Sequence, residues 1–173
     1  MKRIRTALAV ALFSAAFGVS AQSGPNDAQI AAIVVTANQV DIDAGKLAEA
    51  RSTNKDVKAF GKMMVTDHSG VNESAVALVT KLHVTPQDNP TAQSLKAGGV
   101  ENVKHLKTLS GTAFDKAYMD HEVAYHEAVL DAVDKTLIPS AQNAELKALL
   151  VKVRPAFVAH LEHAKHLQTQ LGM

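Results

Sequence analysis

Three histidines fall where three helices should carry only hydrocarbon. His68, His126 and His160 each lie on the apolar stripe of a different amphipathic segment. An imidazole in an apolar seam must find a partner, because an unpaired ring nitrogen is costly away from water. Two chemistries can supply one. Neutral imidazole donates from one nitrogen and accepts at the other, so the three rings can join a buried hydrogen-bond network with Asp41, Glu122 or Tyr118. Alternatively, their lone pairs can be given to one metal ion. The chain has no cysteine, so a metal could be held only by His, Met, Asp or Glu. Imidazole suits zinc and copper, and a thioether would favour copper(I). The candidate ligands are therefore His68, His126 and His160, with Asp41, Glu122 and Met64 as further donors, and zinc or copper as the ion.

The remaining polar residues read as ordinary. Asp67 precedes His68 and points off the seam, toward solvent or a neighbouring helix end. His121 sits off its stripe and is expected to be exposed. His163 and His166 follow His160 at three-residue intervals as solvated positions. Tyr118 and Tyr125 read as packing at a bundle edge. No serine or lysine nucleophile has a base at usable spacing.

Helical periodicity sets where these side chains go. A first helix begins after Asn26 or Asp27 with Gln29 near capping-box spacing, carries Ile30, Ile33, Ala37, Val40, Ala44 and Leu47, and ends near Arg51–Asn54. A second starts near Lys55, with Val57, Phe60, Met64, His68, Val71, Ala75, Leu78 and Leu82 on its stripe. Pro86 to Pro90 breaks the chain. A weaker connecting helix spans about 91–109, and Thr112 is a plausible cap for the next. That helix runs from about Ala113 to Leu137 and is expected to stop at Pro139-Ser140. Asn143 can cap the last, with Leu146, Leu150, Phe157, His160, Ala164 and Leu167 in phase across Pro155.

If the connecting helix returns the chain to the turn between the first two helices, the rise of roughly 1.5 Å per residue gives depths from that turn. His68, Asp41 and His126 fall at about 16–19 Å, and Met64, Glu122 and His160 at about 12–14 Å. Two polar layers one helical turn apart are expected, and their convergence depends on that crossover.

Composition bounds the rest. Lys2, Arg3 and Arg5, an apolar run from Thr6 to Val19, and the small-x-small site Val19-Ser20-Ala21 read as a secretory leader over 1–21. A tether over 22–26 and a single domain over 27–173 would follow. Of 18 Lys+Arg and 17 Asp+Glu, loss of the three leader cations leaves 15 against 17. That balance gives no nucleic-acid footprint, and no later segment is long and apolar enough to span a membrane. An exported periplasmic or envelope protein held by packing alone is expected.

Several blocks carry a resemblance. They are Ala37-Asn38-Gln39 through Gly45-Lys46-Leu47-Ala48, Phe60-Gly61-Lys62-Met63-Met64-Val65-Thr66-Asp67-His68, Phe114-Asp115-Lys116-Ala117-Tyr118 leading into His126-Glu127, and Pro155 before His160-Leu161 and Ala164. In these the chain resembles domain-of-unknown-function family 4142, exported bacterial proteins placed among the ferritin-like bundles. The resemblance implies an all-α, ferritin-like four-helix bundle with an additional connecting helix between the second and third long helices. Ferritin-like di-metal enzymes use paired Glu-x-x-His motifs, which this chain lacks. Its nearest approach is Glu122 with His126, four apart. The expected function is therefore a non-catalytic or stress-related metal-binding role in the cell envelope. The alternative is a structural or interaction module held by a histidine network, with a metal-dependent oxidoreductase third.

Overall fold

The computed structural model describes residues 24–172. The leader and the first two tether positions lie outside the described residues. Among those described, the regular structure is all helical.

Helix α1 (Asp27–Arg51) opens on a capping box: the Asn26 side chain accepts from Gln29 N–H, and the Gln29 side chain accepts from Asn26 N–H. Helix α2 (Lys55–Lys81) follows after a three-residue turn, with Asn54 as its cap. The two pack closely at Gly45 and Gly61, where an added Cβ would stand 2.7 Å and 2.8 Å from the opposing glycine's carbonyl oxygen. Any side chain there would force the helices apart.

Helix α3 (Pro90–Lys107) starts on proline behind an Asn89 cap, the favoured order for a helix start. Its beginning lies beside the beginning of α1, since Gln87 N–H donates to Ala28 O and Asn89 Nδ2 to Gln29 O. Its far end is tied to the end of α1 by Arg51, which donates to the carbonyls of Lys107 and Leu109. So α3 runs parallel to α1 and carries the chain back to the α1–α2 turn. The next helix begins there, where Ser52 Oγ donates to Asp115 Oδ1 at 2.6 Å. The crossover that brings the histidines together is thereby present.

Helix α4 covers Gly111–Ala132, continues through a π turn at Val133–Leu137 and closes with one α turn at Ile138–Ser140. One sequence expectation fails here. Thr112 is not the cap: Ser110 occupies that position without a side-chain hydrogen bond, and Gly111 takes φ +55°, a conformation open to glycine. The helix does stop at Pro139-Ser140, since Ser140 is its last residue and Ala141 is extended, although it runs three residues past Leu137. Helix α5 (Ala144–Gln170) is capped by Asn143 and continues unbroken past Pro155. Asp27 accepts from the N–H groups of Gln142 and Asn143, which fixes the start of α5 at the far end, beside the start of α1. Thus α1 and α5 run one way, and α2 and α4 the other.

Apolar clusters fill both ends. Phe60, Met64, Leu106, Phe114, Tyr118 and Met119 gather toward the α1–α2 turn. Ile30, Ile33, Val133, Leu137, Leu146 and Leu150 gather at the other end. Between them a polar layer is buried beside a small apolar cluster of Leu130, Phe157 and Leu161.

Candidate metal centre

Four helices aim polar groups into this middle layer. Asn38 and Asp41 come from α1, three apart and so on one face. His68 comes from α2, Glu122 and His126 from α4 at i, i+4, and His160 from α5. All six are buried, none more than 3% exposed.

The three imidazoles form a near-equilateral group. Ring centroids are 5.7 Å apart for His68 and His126, 5.2 Å for His68 and His160, and 5.5 Å for His126 and His160. Metal–nitrogen bonds of about 2.0–2.1 Å in tetrahedral or trigonal array would put ring centroids about 5.2–5.5 Å apart. The rings are not stacked on each other: their planes meet at 63°, 50° and 87°. His68 instead stacks on Phe157 at 10°, which holds its edge toward the others. One nitrogen from each ring lies within 4.8 Å of the other two, and Asp41, Glu122 and His126 form a second such group sharing His126.

In each ring the outward nitrogen has a partner. His68 Nδ1 lies 2.7 Å from Asn38 Oδ1. The Asn38 amide is itself oriented, because its Nδ2 donates to Asn72 Oδ1 at 3.0 Å and Asn72 Nδ2 donates to Val35 O. A backbone carbonyl can only accept, so the chain of bonds makes His68 Nδ1 the donor. His126 Nδ1 donates to Glu122 O at 3.0 Å. His160 Nε2 donates to Asp67 Oδ2 at 2.9 Å. Such bonds fix the tautomer and raise ligand basicity, as they do around metal-bound histidines. The inward nitrogens, His68 Nε2, His126 Nε2 and His160 Nδ1, then carry lone pairs and have no hydrogen-bond partner within the protein. Asp41 Oδ1 is likewise buried and unpartnered, and the buried Tyr118 hydroxyl and Glu122 carboxyl face each other.

Burial sets the charge state. It depresses His68 to about 2, helped by His126 and His160, and His126 to about 4. His160 is lowered for the same reason, against the pull of Asp67. Burial raises Glu122 to about 8 and holds Asp41 well above the carboxylate range, with Glu122 adding to the effect on Asp41. Tyr118 is pushed up by burial and by the Glu122 and Asp41 charges. Near neutral pH the metal-free layer holds neutral imidazoles and a protonated Glu122.

The structure revises the sequence expectations at several points. His160 joins His68 and His126 in one layer, because a Cα–Cβ bond tilts toward the N-terminus of its helix. On α5 that tilt leads away from the α1–α2 turn, and on α2 and α4 toward it, so the side chains close the gap that backbone rise alone leaves. Asp67 is not an idle neighbour: it stays 45% exposed yet fixes His160. His121 is half-buried against Tyr125, with ring centroids 5.4 Å apart, rather than exposed. Tyr118 is fully buried beneath the polar layer rather than at an edge. Met64 is fully buried in the apolar cluster one turn from His68. Asn38 and Asn72 were missed altogether. Asn38 could have been found, since it lies three residues before Asp41 on the same face. Asn72 lies one turn after His68, but nothing in the sequence pairs it with Asn38.

Fold and site together define an all-helical bundle with a buried histidine–carboxylate core. The chain belongs to the family described as a domain of unknown function (DUF4142), whose model matches residues 13–167. No curated protein and no solved structure is similar enough to the chain to count as a match. No helix among the described residues is long and apolar enough to cross a membrane.

Proposed function

We propose that the protein binds one transition-metal ion, zinc or copper(II), through His68 Nε2, His126 Nε2 and His160 Nδ1. A carboxylate oxygen from Glu122 or Asp41 completes the site. The observation that carries this reading is the set of three buried imidazole nitrogens, one from each histidine, without a protein partner, with Asp41 Oδ1 unpartnered beside them. Leaving one such group unsatisfied costs about 1–3 kcal/mol. Four would take up much of the stability of an ordinary domain, about 5–15 kcal/mol. An ion that accepts three lone pairs and a carboxylate would resolve most of that cost at once. The donor set is borderline to hard, nitrogen and oxygen, which favours a divalent ion over copper(I).

The histidine-network reading accounts for the outward nitrogens, each within 3.0 Å of an acceptor, but leaves the inward ones unpartnered. A direct network needs contacts of about 2.7–3.2 Å. His68 Nε2 is 3.4 Å from Asp41 Oδ2. That contact is long, and it joins no histidine to another.

The ligand residues are at most 3% exposed, which supports a storage, sequestration or structural role over catalysis. The leader-like residues Lys2, Arg3, Arg5 and Val19-Ser20-Ala21 support an exported, envelope-located protein. The antiparallel helix pairs joined by a crossover support a ferritin-like arrangement, whose metal is bound here without paired Glu-x-x-His motifs. Elemental analysis of the full chain, purified without chelator, is the test. One zinc or copper per chain is expected, lost on chelation and accompanied by a lower melting temperature. Metal-free protein whose melting temperature does not respond to either ion would overturn the proposal.

A further inference from the structure

A second feature lies outside the histidine layer. A groove of about 1000 Å³ runs between α1 and α3. The two helices touch where Gly99 meets Val40: a Cβ on Gly99 would stand 2.7 Å from Val40 Cγ2. Elsewhere α3 carries few large apolar side chains, so the seam beside that contact is left unfilled. On α1 the groove extends from Val35 to Ala50, about 22 Å at helical rise. That is about the length of an extended long-chain acyl group.

The groove is apolar along its bed and cationic at its edge. Leu47 and Val103 line it, and so does Val100, which is 59% exposed and one of the few large hydrophobic side chains left open to water among the described residues. Lys46, Lys96, Lys104 and Lys107 border it, against a single acid, Asp43. Lys46, Lys96 and Lys107 make no ion pair among the described residues, and Lys104 meets only exposed Glu101 at 3.5 Å. Three of these cations lie toward one end. Lys107 closes α3 beside Arg51, Lys104 is one turn back, and Lys46 lies on the last turns of α1. An apolar trough with surplus positive charge at one end complements a molecule with one anionic head and one hydrocarbon tail.

We propose that the α1–α3 groove binds a free single-chain anionic lipid of the long-chain fatty acid class. Its carboxylate sits at Lys46, Lys104 and Lys107, and its chain lies toward Val35. Palmitate displacing a fluorescent fatty acid from the full-length protein tests this. Saturable one-to-one binding is expected. Methyl palmitate should bind about tenfold more weakly or worse, and K104E/K107E and Val100→Glu should each weaken palmitate about tenfold. These variants replace exposed side chains, so their helical circular dichroism and metal content should match the parent. Equal binding of the methyl ester, unchanged affinity in both variants, or no saturable palmitate binding would each overturn the proposal. Recovery of the protein on phosphatidylglycerol vesicles with no binding of monomeric palmitate would also overturn it. Because α1–α3 binding does not involve the histidines, its failure would leave the metal proposal untouched.

Discussion

Around Phe60, Phe114 and Tyr118 the bundle is filled by rings: Phe60 meets Tyr118 edge-on at 6.2 Å, and Phe114 stacks on Tyr118 at 6.3 Å. Two turns further along α2, at His68, the same helices face one another with imidazoles and carboxyls. Both layers are equally dry, but the first is almost wholly hydrocarbon. The apolar layer gains free energy from burial itself, at roughly 25 cal/mol per Å² of apolar surface. The polar layer loses solvation and regains little without a partner of another kind. A dry layer that stabilises and a dry layer that waits for a ligand should respond differently to the same perturbations.

The largest difference should come from truncation. Phe60→Ala should destabilise the protein by about 3–5 kcal/mol, seen as an earlier urea midpoint, while zinc stoichiometry stays unchanged. His126→Leu should do the reverse. It removes an orphaned nitrogen and keeps the volume, so the metal-free midpoint should fall much less than in Phe60→Ala. What should vanish is the metal-dependent gain, about 2.7 kcal/mol at a free zinc concentration one hundred times Kd. If His126→Leu keeps that gain, the two layers do not divide the work as described.

pH sharpens the contrast. Groups facing the centre are Asp41 from α1, His68 with Asp67 behind it from α2, Tyr118, Glu122 and His126 from α4, and His160 from α5. The imidazoles have folded pKa values below their unfolded value of about 6.5. Their contribution is present above that pH and is lost as pH falls toward about 4 for His126 and about 2 for His68. Glu122 has a raised pKa, so its contribution is present below the unfolded carboxyl value and is lost as pH rises through about 8; Asp41 acts in the same sense. The two limbs cross, and metal-free protein should melt highest near pH 6–7. A metal ion favours ionised carboxylate and neutral imidazole, so binding should release protons and tighten with rising pH. With zinc bound, the decline above pH 7 should disappear. Thermal melts across pH 5–9, with and without zinc, read this directly; an unchanged alkaline limb would mean that no carboxylate joins the ion.

The smallest expected effect is at the rim. Asp67→Ala leaves folding nearly intact because the residue is half-exposed, but it frees the His160 ring. Metal affinity should fall about 10–100-fold, and Asp67→Asn, which keeps an accepting oxygen, should recover most of it. A competition titration with a chromophoric chelator measures both.

Much of this architecture was legible from the chain. Stripes such as Val57-Phe60-Met64-His68 and caps at Asn26 and Asn143 follow from local rules, because helix phase and end chemistry are decided within a few residues. The continuation of α4 past Leu137 was not legible: a π turn absorbs an extra residue without any distinguishing side chain. Among the site residues, the three histidines, Asp41 and Glu122 announced themselves as polar groups on apolar stripes. Asp67 could not, because on its own helix it faces water, and its role appears only when α5 lies alongside.

The order of side chains along the helices thus fixed which faces are buried and that histidines from three of them would enter the core. It did so because helical phase is a one-dimensional property. Tertiary structure decided that they share one level, which of each ring's nitrogens points inward, and what holds the other. Those outcomes rest on the return of α3 to the α1–α2 turn, on the opposite tilt of side chains from antiparallel helices, and on acceptors supplied by residues distant in the chain, as Asn38 and Asp67 are.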